Sequence, residues 1–60
     1  MTKVKAARLR RNIRPAKLAR ILGVSRAAVC DIEKKGILSI STAKKYAAAL
    51  GCAAIDLIEV

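Results

Sequence analysis

Between Leu22 and Gly36 the chain gathers a hydroxyl (Ser25), a guanidinium (Arg26), a thiol (Cys30), two carboxylates (Asp31, Glu33) and two ammonium groups (Lys34, Lys35). This set is equipped to recognise a partner rather than to transform one. The chain has no histidine, so neither Cys30 nor Cys52 has a base to activate it as a nucleophile. No carboxylate pair stands at a spacing suited to acid–base work, and no cofactor loop is present, so an enzyme is not expected and no cofactor or metal is called for. What remains is charge. Thirteen Lys and Arg against four Asp and Glu leave a net charge of +9. That balance favours a polyanion, either nucleic acid or an anionic membrane surface, over mere solubility.

The elements that must position these residues follow from composition and spacing. Sixty residues make one domain, 1–60, and a chain this short buries only about 60% of its unfolded surface. With no Trp or Phe and one Tyr, the core must come from Leu, Ile, Val and Ala, which suits closely packed helices. Nothing before residue 55 alternates with a strand period. The fold class is therefore all-α, a bundle of four or five short helices. Two cysteines do not form the disulfide framework of a small secreted domain, so free thiols and a reducing cytoplasm are expected. No stretch is long and apolar enough to span a membrane, and "MTKVKAARLRR" lacks the apolar run of a signal peptide.

Thr2 precedes a first helix running to about Asn12, with Val4, Ala6 and Ala7 inward and Lys3, Lys5, Arg10 and Arg11 outward. Ile13 anchors a short connection. Pro15 opens the second helix, where its missing N–H costs nothing, although Arg14 caps it poorly. Leu18, Ala19 and Leu22 form its inner stripe and Gly23 stops it. Ser25 caps a third helix, "RAAVCDIEKK", with Val29 and Ile32 inward and Gly36 closing it. After "ILSI", Ser39 is the expected cap of a fourth helix, whose Ile40, Ala43, Tyr46, Ala47 and Leu50 recur at helical spacing up to Gly51. The tail, 52–60, can hold a short fifth helix around 54–59 or run extended.

Two short helices around a glycine turn, about residues 15–35, make a helix-turn-helix. Ala19 must be small because the second helix crosses over it, and Gly23 takes a left-handed conformation that other residues adopt at a cost. Leu18, Leu22, Val24, Val29 and Ile32 supply the shared core. The second helix, about 25–35, then projects its first residues outward at a size that fits the DNA major groove. A plain helical hairpin can show the same glycine and spacing; the charge tips the reading towards DNA.

"LARILGVSRAAVCDIEKKG" resembles the helix-turn-helix of phage repressors, Cro proteins and the Xre-like bacterial regulators and antitoxins. The resemblance runs without a gap from Val4 to about Leu50, with "AAALG" matching the family's fourth helix. It implies a five-helix, lambda-repressor-like domain, usually dimerised on a two-fold operator, in a bacterial or phage-encoded cytoplasmic regulator. It also implies that Arg8 pairs with Glu33, which would steady Arg8 towards a phosphate. Ser25, Arg26, Ala27 and Asp31 match DNA-facing positions of the third helix. Arg26 can bind guanine O6 and N7, and Ala27 can pack on a thymine methyl. Ser25 suits a phosphate at a helix N-terminus. Asp31 can accept from cytosine N4, repel a phosphate, orient Arg26 or stay solvated. Cys30 reads as a partly exposed filler rather than a redox sensor, and Cys52 as a replacement for an apolar core residue.

The departures from the family are as informative. Where it often carries a Gln that contacts phosphate and buttresses the reader helix, this chain has Pro15, which leaves Arg14 to take the phosphate. The loop after the third helix, usually polar and basic, is "ILSI", with Lys34 and Lys35 before it as phosphate clamps. Ile37 and Leu38, together with Ile55, Leu57 and Ile58 of the tail, are expected to form a homodimer interface. The expected function is sequence-specific binding of double-stranded DNA by a small Cro- or repressor-like regulator, without a small-molecule ligand. The alternative is an antitoxin, with the apolar loop and tail facing a toxin protein. Membrane-surface and RNA readings lack the aromatic residues they need, since Tyr46 stands alone.

Overall fold

Caps and stops in the sequence set the helix boundaries. A computed structural model describes residues 1–59; Val60, the last residue of the predicted 52–60 tail, lies outside the described residues. The chain forms α1 (Lys3–Arg10), α2 (Pro15–Leu22), α3 (Arg26–Lys35) and α4 (Ile40–Leu50), followed by a 3-10 turn at Ala54–Asp56. Thr2 and Ser25 cap α1 and α3, their hydroxyls accepting from Lys5 N at 3.4 Å and Ala28 N at 3.1 Å. Pro15 opens α2 with no side-chain cap from Arg14. Gly23 and Gly51 end α2 and α4 in the left-handed conformation, at φ 71° and φ 70°. The fold is all-α, as expected.

The four helices share one core. Val4 and Ala7 of α1, Leu18 and Ala19 of α2, Val29 of α3, and Ala43, Tyr46, Ala47 and Leu50 of α4 meet there. α2 packs on α3 and α4, and α1 packs on the same two helices. The alanines let the backbones approach closely, while the larger side chains supply the burial, about 1.5–3 kcal/mol for each one fully removed from water.

Several expectations need correction. Ile37 and Leu57, placed at a dimer surface by their sequence, are 1% and 0% exposed and belong to this chain's own core. The reason is the tail. After the 3-10 turn, Ile58 forms a parallel bridge with Ile37, and Glu59 N donates to Ile37 O at 2.9 Å. This folds the segment after α3 inward, and Ile58 packs half-buried against the core. Both readings of the tail were thus partly right, since it begins as a helical turn and ends extended. Val24, expected inside the helix-turn-helix core, is 45% exposed, and Ile40, expected on the inner stripe of α4, is 54% exposed. Leu22 and Ile32 are half-buried at the edge of the core. Ser39 occupies the cap position of α4 without capping it, its hydroxyl lying 2.9 Å from that of Ser41. α1 ends at Arg10, short of Asn12, which turns the chain with φ 56°.

Candidate nucleic-acid interface

α3 is gripped along one side and left bare along the other. At about 100° per residue, Val29 and Glu33 fall on one face while Ala27, Asp31 and Lys34 fall on the opposite one. Burial follows this division: Val29 and Glu33 are buried, and Ala27, Asp31, Lys34 and Lys35 are exposed. The start of the helix is positioned by the turn before it. Gly23 takes φ 71° and ψ 31°, and Val24 N returns to Ala19 O at 3.0 Å. This leaves Ser25 and Arg26 exposed at the helix tip.

The grip centres on a buried ion pair. Arg8 Nε donates to Glu33 Oε2 at 2.5 Å and Nη2 donates to Oε1 at 3.2 Å, while Nη1 donates to Ile13 O at 2.7 Å. One guanidinium therefore joins α1, the α1–α2 connection and α3. Arg8 and Glu33 are 7% and 8% exposed. The pairing implied by the family resemblance is present. The phosphate contact expected of Arg8 has little surface to use, since each guanidinium nitrogen already donates inside the protein and the residue is 7% exposed. Thr2 Oγ1 adds a second fastening by donating to Glu33 O at 2.7 Å. Tyr46 lies close enough to feel this acid. Burial, and then the negative charge of Glu33, push its phenol above the usual 10.0.

The far end of α3 is fixed by the tail. Gly36 has φ 89° and ψ 165°, a backbone region that is essentially glycine's alone. A Cβ there would lie 2.6 Å from Glu59 Cγ. Glu59 in turn accepts from Lys3 N at 2.5 Å, holding the first turn of α1. Sequence reasoning did not find this three-way contact, because residues so distant in the chain carry no local signal.

On the bare face, Asp31 Oδ2 lies 3.3 Å from Lys35 Nζ, with side chains 57% and 72% exposed. None of the four roles considered for Asp31 was this one, although an acid four residues before a base was legible as a helical pair. Arg26 shares a shallow recess with Arg14, Pro15 and Ala16 at the start of α2, so two arginines from the heads of two helices line one depression. That Arg14 and Arg26 line the same recess carries no local signal in the sequence. Lys17 and Arg20 are also exposed on α2, and Lys44 and Lys45 on α4. Of the thirteen basic residues only Arg8 is buried. Cys30 and Cys52 are free thiols of intermediate exposure, with Cys52 packed against the core.

Among the described residues no helix is long and apolar enough to cross a membrane. Leu38 and Ile55 stand out as apolar side chains in water, at 79% and 77% exposure. A family model described as Helix-turn-helix matches residues 4–57, from the first core residue of α1 to Leu57. No curated protein and no solved structure matches the chain.

Proposed function

The chain belongs to the Xre/Cro-like helix-turn-helix family of DNA-binding transcription regulators, and from that premise we propose that it reads a specific duplex sequence as a small Cro- or repressor-type switch protein. α3 enters the major groove. Arg26, Ala27 and Asp31 meet base edges, and Arg14, Ser25, Lys34 and Lys35 meet phosphates. The observation that carries this reading is the division of α3, whose inner face is fully committed to the fold while its outer face is free. A rigid helix with arginine at its tip and a small residue beside it can approach base edges closely. The recess shared by Arg14 and Arg26 is suited to a phosphate oxygen at the groove edge. The Ser25 hydroxyl accepts from Ala28 N and still has its own proton to give.

The protein acts as a homodimer on two half-sites about one helical turn, roughly 34 Å, apart. The dimer surface is smaller than the sequence implied. Leu38 and Ile55 carry it, with Ile58 at its edge, because Ile37 and Leu57 are already buried. Sedimentation that finds only monomer at high concentration would remove the dimer from the proposal.

Selection of bound duplexes from a random pool, with a salt titration alongside, tests the reading. Affinity should fall steeply with salt through counterion release. Arg26→Ala should cost about 1–3 kcal/mol on the selected sequence and relax preference at one base pair, while Lys34→Ala should weaken every duplex alike. Equal losses for both variants on selected and random DNA would show that Arg26 is no reader.

A further inference from the structure

We propose that Asp31 and Lys35 form an exchangeable pair that makes one backbone contact conditional on one base: Lys35 is released to a phosphate where the major groove offers Asp31 a cytosine amino group, and stays on Asp31 elsewhere. The inference rests on the DNA-binding reading above and specifies how that site discriminates.

Asp31 is the acid of the outer face of α3, on the same side as Ala27 and Lys34. The neighbouring acid, Glu33, is held by Arg8 inside the protein, so Asp31 is the carboxylate within salt-bridge distance of Lys35. The order of acid and base along the helix favours the pair. Both side chains nevertheless stand in water, where such contacts are weak and screened. A DNA phosphate can therefore compete for Lys35.

The competition has a consequence for Asp31. Once Lys35 leaves, an unpaired carboxylate lies among phosphates, and it is tolerated only where something donates to it. Major-groove donors are amino groups, and the cytosine N4 amino group is the usual partner of an acidic side chain. On a duplex without cytosine at that position the pair stays closed and contributes no net charge. On the correct duplex the pair opens, giving one base contact and one additional phosphate contact. Base identity and salt dependence are then coupled through two residues one helical turn apart.

The test measures affinity against salt for the full chain, on the selected duplex and on a variant duplex in which the cytosine facing Asp31 is replaced. Repeating the selection with Asp31→Ala locates that base pair, as the position whose preference disappears. For the unaltered protein the log–log slope should be steeper by about 0.9 on the selected duplex, roughly a threefold greater loss of affinity over a fourfold rise in salt. Lys35→Met should make the two slopes equal at the shallower value. Asp31→Ala should make them equal at the steeper value and raise affinity for the variant duplex several-fold. Circular dichroism melts should be near the unaltered protein's for both variants, because neither side chain is buried. Equal slopes in the unaltered protein would overturn the exchange while leaving DNA binding intact, as would an Asp31→Ala variant that keeps its cytosine preference. No binding to any duplex would overturn both.

Discussion

Glu33 and Asp31 are two residues apart on one helix and each faces a base, yet burial makes them different objects. Glu33 and Arg8 lie in the protein with side chains 7% and 9% exposed, and each of the three guanidinium nitrogens donates to an acceptor. Asp31 and Lys35 are more than half exposed and meet at a single 3.3 Å contact. A buried pair cannot be opened cheaply, because each charge would be stranded away from water. An exposed pair opens at little cost, because water replaces each partner. The same chemistry therefore makes the frame on one side of α3 and an exchangeable reading element on the other.

The comparison is broken most severely by Glu33→Ala. Leaving Arg8 buried without its partner should cost about 3–5 kcal/mol, and each kcal/mol moves Tm by about 4–8 °C in a domain of this size. Thermal unfolding followed by circular dichroism would show it. Replacing both members together, Arg8→Met with Glu33→Leu, should restore most of the loss, because the penalty belongs to the orphaned charge and not to the absent bond. If Glu33→Ala melts with the unaltered protein, the pair does not hold α3.

Next in size is Gly36→Ala. A side chain in that backbone region costs about 1–3 kcal/mol, and Glu59 must also move away from its place 2.6 Å from the new atom. Denaturant unfolding would measure the loss. Gly23→Ala is the control, since nothing lies within 4 Å of its Cβ position and only its φ of 71° opposes the change.

A smaller effect should come from Tyr46. Its raised pKa means that the folded chain holds the phenolic proton more tightly than the unfolded chain does. The resulting stability is fully present below the usual pKa of 10.0 and is lost as pH rises through the higher folded value. Melting temperature should therefore fall above pH 10 together with the rise of tyrosinate absorbance, which has one source in this chain. In Tyr46→Phe that component of the fall should be absent; an unchanged alkaline profile would mean that burial of the Tyr46 phenol, with Glu33 nearby, does not hold its proton.

Smallest of all is the outer pair. Lys35→Ala should change stability by no more than about 0.3–0.5 kcal/mol, the usual worth of an exposed helical pair. A loss as large as that of Glu33→Ala would mean that burial is not what separates the two pairs.

The elements were legible in the sequence where the signal was local. Gly23, Pro15 and Gly51 mark their boundaries by backbone preference and Ser25 by its side-chain cap, signals that reach no further than the adjoining turn. Glu33 was legible through its motif, which the apolar spacing of α3 alone would not have picked out. What escaped was decided by the tail. Ile37 is an apolar residue in a connection, and whether it meets water or core depends on Ile58 crossing to pair with it. Periodicity has no means of showing a contact between residues so far apart in the chain. Val24 and Ile40 failed for a related reason: Val24 stands in the turn between α2 and α3 and Ile40 is the first residue of α4, where neighbours cover a side chain on fewer sides.

The contact among Gly36, Glu59 and Lys3 has a topological consequence. Lys3 N donates to Glu59 Oε1 and Glu59 N donates to Ile37 O, so both ends of the described chain converge at the closing turn of α3. The fold is nearly a closed ring. A short linker joining residues 59 and 2, with a new break at the exposed Leu38–Ser39 connection, would permute the order of the helices and leave their packing unchanged. Residues 3 and 59 thus share one corner, about 15 Å along α3 from the tip carrying Ser25 and Arg26.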